Sequence, residues 1–139
     1  MSDAPTYYIE QWQHRLGLDA WDIRYNPDRK VSKLSLANNT NTEGLLICEI
    51  GIQKGCPDEE IEGCVVHEMV HLLVNPIVDK AIALAGTVGN EAISMMLMDE
   101  YHEMRENLIE QLTRVLLGRK TKPFGKALGK EFSSFLDAA

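Results

Sequence analysis

The sequence predicts a single α+β domain in which a small twisted sheet of about three strands precedes a helix and a long second helix. Three observations carry that expectation. The chain has 139 residues, the ordinary size for one hydrophobic core. Side chains alternate with period two between residues 21 and 52, whereas apolar positions between 58 and 117 recur at helical spacing. Glycine and proline punctuate the joins between these segments.

The elements follow in order. Residues 5–17 set Ile9, Trp12 and Leu16 on one helical face, with Pro5 suited to the first turn and Gly17 to the exit, which reads as a covering helix. Trp21, Ile23 and Tyr25 alternate with Asp22 and Arg24 as a half-buried strand, ended by the turn Asn26-Pro27-Asp28. Residues 31–36 read as a weaker second strand, residues 38–44 as a polar loop, and Leu46, Cys48, Ile50 and Ile52 as a third strand closed by Gly55. Asp58, Glu59 and Glu60 after Pro57 mark a helix start, because acids there complement the positive end of the helix dipole. That helix is expected to reach at least Val74, with Pro76 bending or ending it and residues 77–85 forming a second short helix. Residues 90–117 hold no glycine or proline and read as one long helix stopped by Gly118. The expected organisation is therefore a domain over 1–117 and a basic tail over 118–139.

The charge is −7 overall, but it is unevenly placed. Residues 1–117 carry 19 acidic and 9 basic side chains, and residues 118–139 carry 2 and 5. An acidic body argues against nucleic acid, whose phosphates need a basic face, and against an anionic membrane surface. No uninterrupted run approaches the ~18 apolar residues of a membrane helix, and the first residues have no apolar signal region, so a cytoplasmic protein is expected. Cys48, Cys56 and Cys64 form no Cys-x-x-Cys unit, which argues against a disulfide scaffold.

Two of only four histidines stand in His67-Glu68-Met69-Val70-His71. On a helix, positions i and i+4 lie one turn apart on one face, so both imidazoles can reach one zinc ion while Glu68 lies beside the open coordination position. Zinc lowers the pKa of a bound water to ~7, and a neighbouring carboxylate can take its proton, the role expected of Glu68 as general base. The plain alternative is a buried helix whose histidines are satisfied by hydrogen bonds.

A zinc site of this kind needs a third protein ligand, and Glu106 and Glu91 compete for it. On one straight helix they stand about 22 Å apart, so both cannot serve. An antiparallel hairpin turning near Thr87 and Val88 sets Met69, the midpoint of the motif, opposite Glu106. Glu106 also falls on the stripe Met95, Asp99, His102, Glu106, Ile109, Thr113 and Leu116, expected to face inward. Glu100, Glu103, Asn107, Glu110 and Arg114 form a stripe expected to face solvent. His102, one turn before Glu106, is a candidate catalytic group that orients a ligand or stabilises an oxyanion, with Tyr101 and Arg105 as further candidates. Asn75, one turn after His71, is placed to orient a ligand or to end the helix before Pro76. Cys64 lies three residues before His67, where a thiolate ligand is feasible, although a small buried residue is the simpler reading. Met95, Met96 and Met98 are expected to fill core gaps.

Leu18 to Tyr25 (Leu-Asp-Ala-Trp-Asp-Ile-Arg-Tyr), the strand 45–52, the helix through His67-Glu-Met-Val-His71-Leu-Leu and the later Glu106-Asn-Leu-Ile-Glu-Gln-Leu resemble small phage- and prophage-associated zincin-like metallopeptidase domains. The resemblance covers about residues 5–117 and its sharp part is the His-Glu-x-x-His motif. It implies a minimal gluzincin fold, a Zn2+ cofactor held by His67, His71 and, in the later helix, Glu106, a peptide or protein substrate, and a bacterial or phage-infected cell. Asn90-Glu91-Ala92-Ile93-Ser94 is similar to the glutamate segment of thermolysin-type gluzincins, which keeps Glu91 open. The function expected is zinc-dependent peptide hydrolysis. The alternative is a non-catalytic zinc-binding assembly or interaction protein of the same fold, and the basic tail offers either one a contact to a protein partner.

Overall fold

The computed structural model describes residues 4–118, the start of the basic tail at Gly118 included; the rest of the tail lies outside the described residues. Helix α1 (Ala4–Gln13) leads into strand β1 (Asp22–Tyr25). Strands β2 (Ala37–Thr42) and β3 (Ile47–Ile52) follow, joined by a 3-10 turn at Glu43–Leu45, and then helices α2 (Asp58–Ala85) and α3 (Glu91–Leu117). The architecture is α+β with a three-stranded mixed sheet in the order β1-β3-β2, β1 parallel and β2 antiparallel to β3.

The middle strand has the composition of a buried strand, and Cys48 and Ile50 are fully buried. Register sets Ile23 beside Cys48, and Ala37, Asn39 and Asn41 beside Ile52, Ile50 and Cys48. Paired residues project to the same side of a sheet, so Asn39 and Asn41 share the face of the core strand that meets α2. On the other side of that core α2 buries Val65, Val66, Met69, Val70, Leu72 and Val74, and α1 contributes Ile9 and Trp12. The Trp12 indole N–H donates to Glu62 Oε2 at 2.8 Å, fixing α1 to the first half of α2.

The second strand differs from expectation. It lies at 37–42, within the segment read as loop, while 31–36 forms no strand. Asparagine and threonine have the composition of a loop, but an edge strand that faces a polar site carries polar residues on its inward positions. The pairing with β3 supplies the backbone partners that composition does not advertise.

Pro76 does not end α2, which is helical through Ala85. Proline removes one helical hydrogen bond and crowds the preceding turn, a cost of about 3 kcal/mol. Arg105 of α3 brackets that turn: its guanidinium donates to Asn75 Oδ1 at 3.3 Å and to Asp79 Oδ1 at 2.6 Å, one acceptor on each side of the proline. Asn75 therefore does not end the helix. At the hairpin tip the Ser94 hydroxyl donates to the Ala85 carbonyl at 2.8 Å. Asn90 caps α3 by accepting from the Ile93 N–H, and Gly118 ends it in the left-handed region at φ 66°.

The expected inward stripe of α3 holds at Ile109 and Thr113 and at Glu106, which is half-buried beside His67 and His71, and fails at Met95, Asp99, His102 and Leu116, which are exposed. The buried positions are Ser94, Ile109, Glu110 and Thr113, so the stripe drifts from the one drawn at a strict heptad spacing, as an unsupercoiled helix requires. Met95 and Met96 are consequently outside the core. By length and mean hydropathy α2 is the one described helix able to cross a membrane, yet 56% of that apolar window is buried inside the protein. It is the core helix of this domain.

Candidate metal centre

The site begins with the backbone of α2. His67 and His71 sit one turn apart, and their rings meet edge to face with centroids 5.1 Å apart. The helix hairpin then brings α3 across this turn. Ligand atoms of His67, His71 and Glu106 all lie within 4.8 Å of one another, and no other such group of three occurs among the described residues. Glu91 is exposed at the opposite end of α3 and takes no part. Cys64 also stays outside the cluster, in contact with Cys56 at an Sγ–Sγ distance of 3.8 Å.

Each histidine is held through Nδ1. His67 Nδ1 stands 3.2 Å from Glu110 Oε1, with both side chains almost completely buried. His71 Nδ1 stands 3.4 Å from Asn75 Oδ1, the same oxygen that accepts from Arg105. An acceptor at Nδ1 keeps the ring proton there and leaves the Nε2 lone pair to bind a cation. Asn75 thus takes the orienting position offered by the sequence. Glu110, placed on the solvent stripe by sequence, is instead 2% exposed. The signal for it was present: Glu106 and Glu110 are spaced i and i+4, so if one faces the motif the other does too.

Glu68 is held from the sheet. Asn39 Nδ2 donates to Glu68 Oε1 at 2.6 Å, and Asn41 Nδ2 donates to Asn39 Oδ1 at 2.9 Å. Its other oxygen, Oε2, lies 3.8 Å from His67 Nε2. Sequence reasoning missed both asparagines because it read their segment as loop.

Burial is the largest single influence on each of Glu68, His67 and His71. It raises the pKa of Glu68, with His67 and the Asn39 hydrogen bond opposing in part. Burial also opposes charge on His67, but Glu110, Glu68 and Glu106 together outweigh it and lift its pKa above the ordinary value. For His71 burial and the neighbouring His67 prevail and lower it. Three carboxylates converging on two imidazoles make an electronegative centre suited to a divalent cation.

An open cleft of about 400 Å³ gives access to His67, Glu68, His71 and Glu106, and Ser32, Ser35, Asn38 and Asn39 form its other wall. His102 is exposed one turn from Glu106 and is not among the residues lining the cleft. Tyr101 lines a different depression, and Arg105 is engaged with Asn75 and Asp79.

The donor set fits zinc: two imidazole nitrogens and one carboxylate oxygen on two rigid helices, with backing for each imidazole and a solvent-facing side. No protein-family model matches the chain, and neither the curated proteins nor the solved structures yield a significant match.

Proposed function

We propose that this protein is a zinc-dependent metallopeptidase of zincin-like, minimal gluzincin type that acts in the cytoplasm. The observation that carries the reading is the convergence of His67, His71 and Glu106 around one point beside a tethered Glu68. His67, His71 and Glu106 would hold the zinc, which when bound supplies Lewis acidity that makes water a nucleophile near neutral pH. Glu68 acts as general base. Asn39 occupies Oε1, so Oε2 is the oxygen left to accept the proton and return it to the departing amine. The raised pKa of Glu68 suits a group that must both take and give a proton.

The wall opposite the motif favours a peptide substrate. Strand β2 is at the edge of the sheet and contributes Ala37, Asn38 and Asn39 to the cleft, so an extended chain can lie along it using backbone hydrogen bonds. A second reading, a zinc-binding assembly or interaction protein without catalysis, draws on the cleft's lack of a further histidine, tyrosine or cation to stabilise an oxyanion among the described residues.

Zinc-loaded protein and Glu68→Gln, incubated with a mixed peptide library and read by mass spectrometry, separate the two. The metallopeptidase reading requires cleavage by the wild type and a loss of ~100-fold or more in the variant at unchanged zinc content. Equal cleavage by both proteins, or none by either with zinc bound, overturns it, and the latter result favours the interaction protein.

A further inference from the structure

Helix α3 presents an apolar stripe that the described fold leaves uncovered. Met104, Leu108, Leu112 and Val115 follow one another at spacings of four, four and three residues, and they are 59%, 41%, 36% and 75% exposed. Positions spaced in this way lie within one narrow sector of a helix. At its upper end the stripe opens into a depression of about 280 Å³ lined by Val78, Tyr101, Met104 and Leu108. None of these residues lines the cleft of the metal centre. Single exposed apolar residues need no explanation, whereas a continuous stripe beside a groove marks a contact surface.

The sequence beyond Gly118 has the matching pattern. Phe124, Leu128, Phe132 and Phe135 repeat the same spacing of four, four and three, while Lys126 and Lys130 fall on the opposite side of that periodicity. Gly118 turns the chain out of α3 in the left-handed conformation, and Pro123 stands just ahead of the first apolar position. Six residues from 118 to 123 are ample to reverse direction beside α3. Charge agrees as well: residues 119–139 hold five basic and two acidic side chains, against 19 acidic and 9 basic in residues 1–117.

We propose that residues 124–136 dock intramolecularly along the Met104–Val115 stripe of α3, Phe124, Leu128, Phe132 and Phe135 covering it while Lys126 and Lys130 face solvent. This assigns the basic segment to the protein's own surface, and it stands independently of the metallopeptidase reading.

Hydrogen exchange of the full-length chain, with the mass in solution measured by light scattering, tests it in three proteins: wild type, Leu108→Glu on the stripe and Leu128→Glu in the segment. In the wild type, amides of 124–136 should exchange at least ~10-fold more slowly than unstructured rates, at monomer mass. Either substitution should return them to unstructured rates. Leu128→Glu lies outside the domain described, so the test survives if Leu108→Glu fails to fold. Unprotected amides in the wild type overturn the proposal. Protection that persists in Leu128→Glu, or that accompanies a dimer mass and falls on dilution, also overturns it, the last by assigning the stripe to a second copy of the chain.

Discussion

Replacing Glu110 should weaken zinc binding although Glu110 is not in the ligand set. Its Oε1 lies 3.2 Å from His67 Nδ1, with the two side chains 3% and 0% exposed, so the pair is shielded from solvent. The carboxylate holds the imidazole proton on Nδ1 and makes Nε2 a better donor; losing such a group typically costs 10–100-fold in metal affinity. That corresponds to about 1.4–2.7 kcal/mol. Glu110→Gln retains an oxygen acceptor and belongs near the lower figure, whereas Glu110→Ala removes both charge and acceptor and belongs near the upper. Protons compete with the metal for His67, whose pKa is raised, so the assay is run above the histidine titration range, where the ring is neutral in every variant. Competition with a chromophoric chelator measures the affinity, circular dichroism checks the fold, and Glu103→Gln, at an exposed position on the same helix, serves as the control. A folded Glu110→Ala protein that binds zinc within about twofold of wild type would refute the role given to this pair.

Further consequences follow from the same contacts. Asn39→Leu should leave zinc content unchanged while lowering peptide cleavage ~10-fold or more, since Glu68 loses the donor that sets its orientation; unchanged turnover by the zinc-loaded variant would remove Asn39 from the mechanism. Arg105→Ala should lower stability by about 1–3 kcal/mol in urea denaturation, because it releases acceptors on both sides of Pro76, and less than about 0.5 kcal/mol would show that the helix passes the proline without that support. Ile109→Ala, at a fully buried position where α3 meets the core, should cost about 2–5 kcal/mol by the same measurement. The thiols report the packing of β3 and the start of α2: burial pushes Cys48 up to about 12 and raises Cys64 and Cys56 as well. A raised pKa keeps each thiol neutral at pH 7, so alkylation should be slow there and quicken as pH rises. Cys56, the one not fully buried, should react before the other two.

Much of the architecture was legible because it rests on periodicity. Trp21 to Tyr25 and Leu46 to Ile52 alternate cleanly, and each proved to be a strand within a residue of the expected limits. The two histidines and Glu106 could be brought together from helical spacing and hairpin register alone, and the observed pairs Ala85 with Ser94, Asn75 with Arg105 and His67 with Glu110 lie close to that register. What escaped has a common cause. Local composition describes a residue's ordinary surroundings, and the polar lining of a site reverses them. Asn39 and Asn41 read as loop because their inward face meets a carboxylate instead of an apolar core. Glu110 reads as surface because glutamate usually is, yet here a buried imidazole accommodates it. Pro76 reads as a helix end because the bond it removes is visible in sequence, while Arg105, far along the chain and spanning it, is not.

The proposed function requires that α2 and α3 hold one catalytic zinc ion between them. Crystals of the zinc-loaded protein, with diffraction recorded on both sides of the zinc absorption edge, test this most directly. A single anomalous peak bonded to His67, His71 and Glu106 is expected, with a solvent ligand in the remaining position beside Glu68. A peak at other residues, a fourth protein ligand closing the site, or no peak at saturating zinc would contradict it.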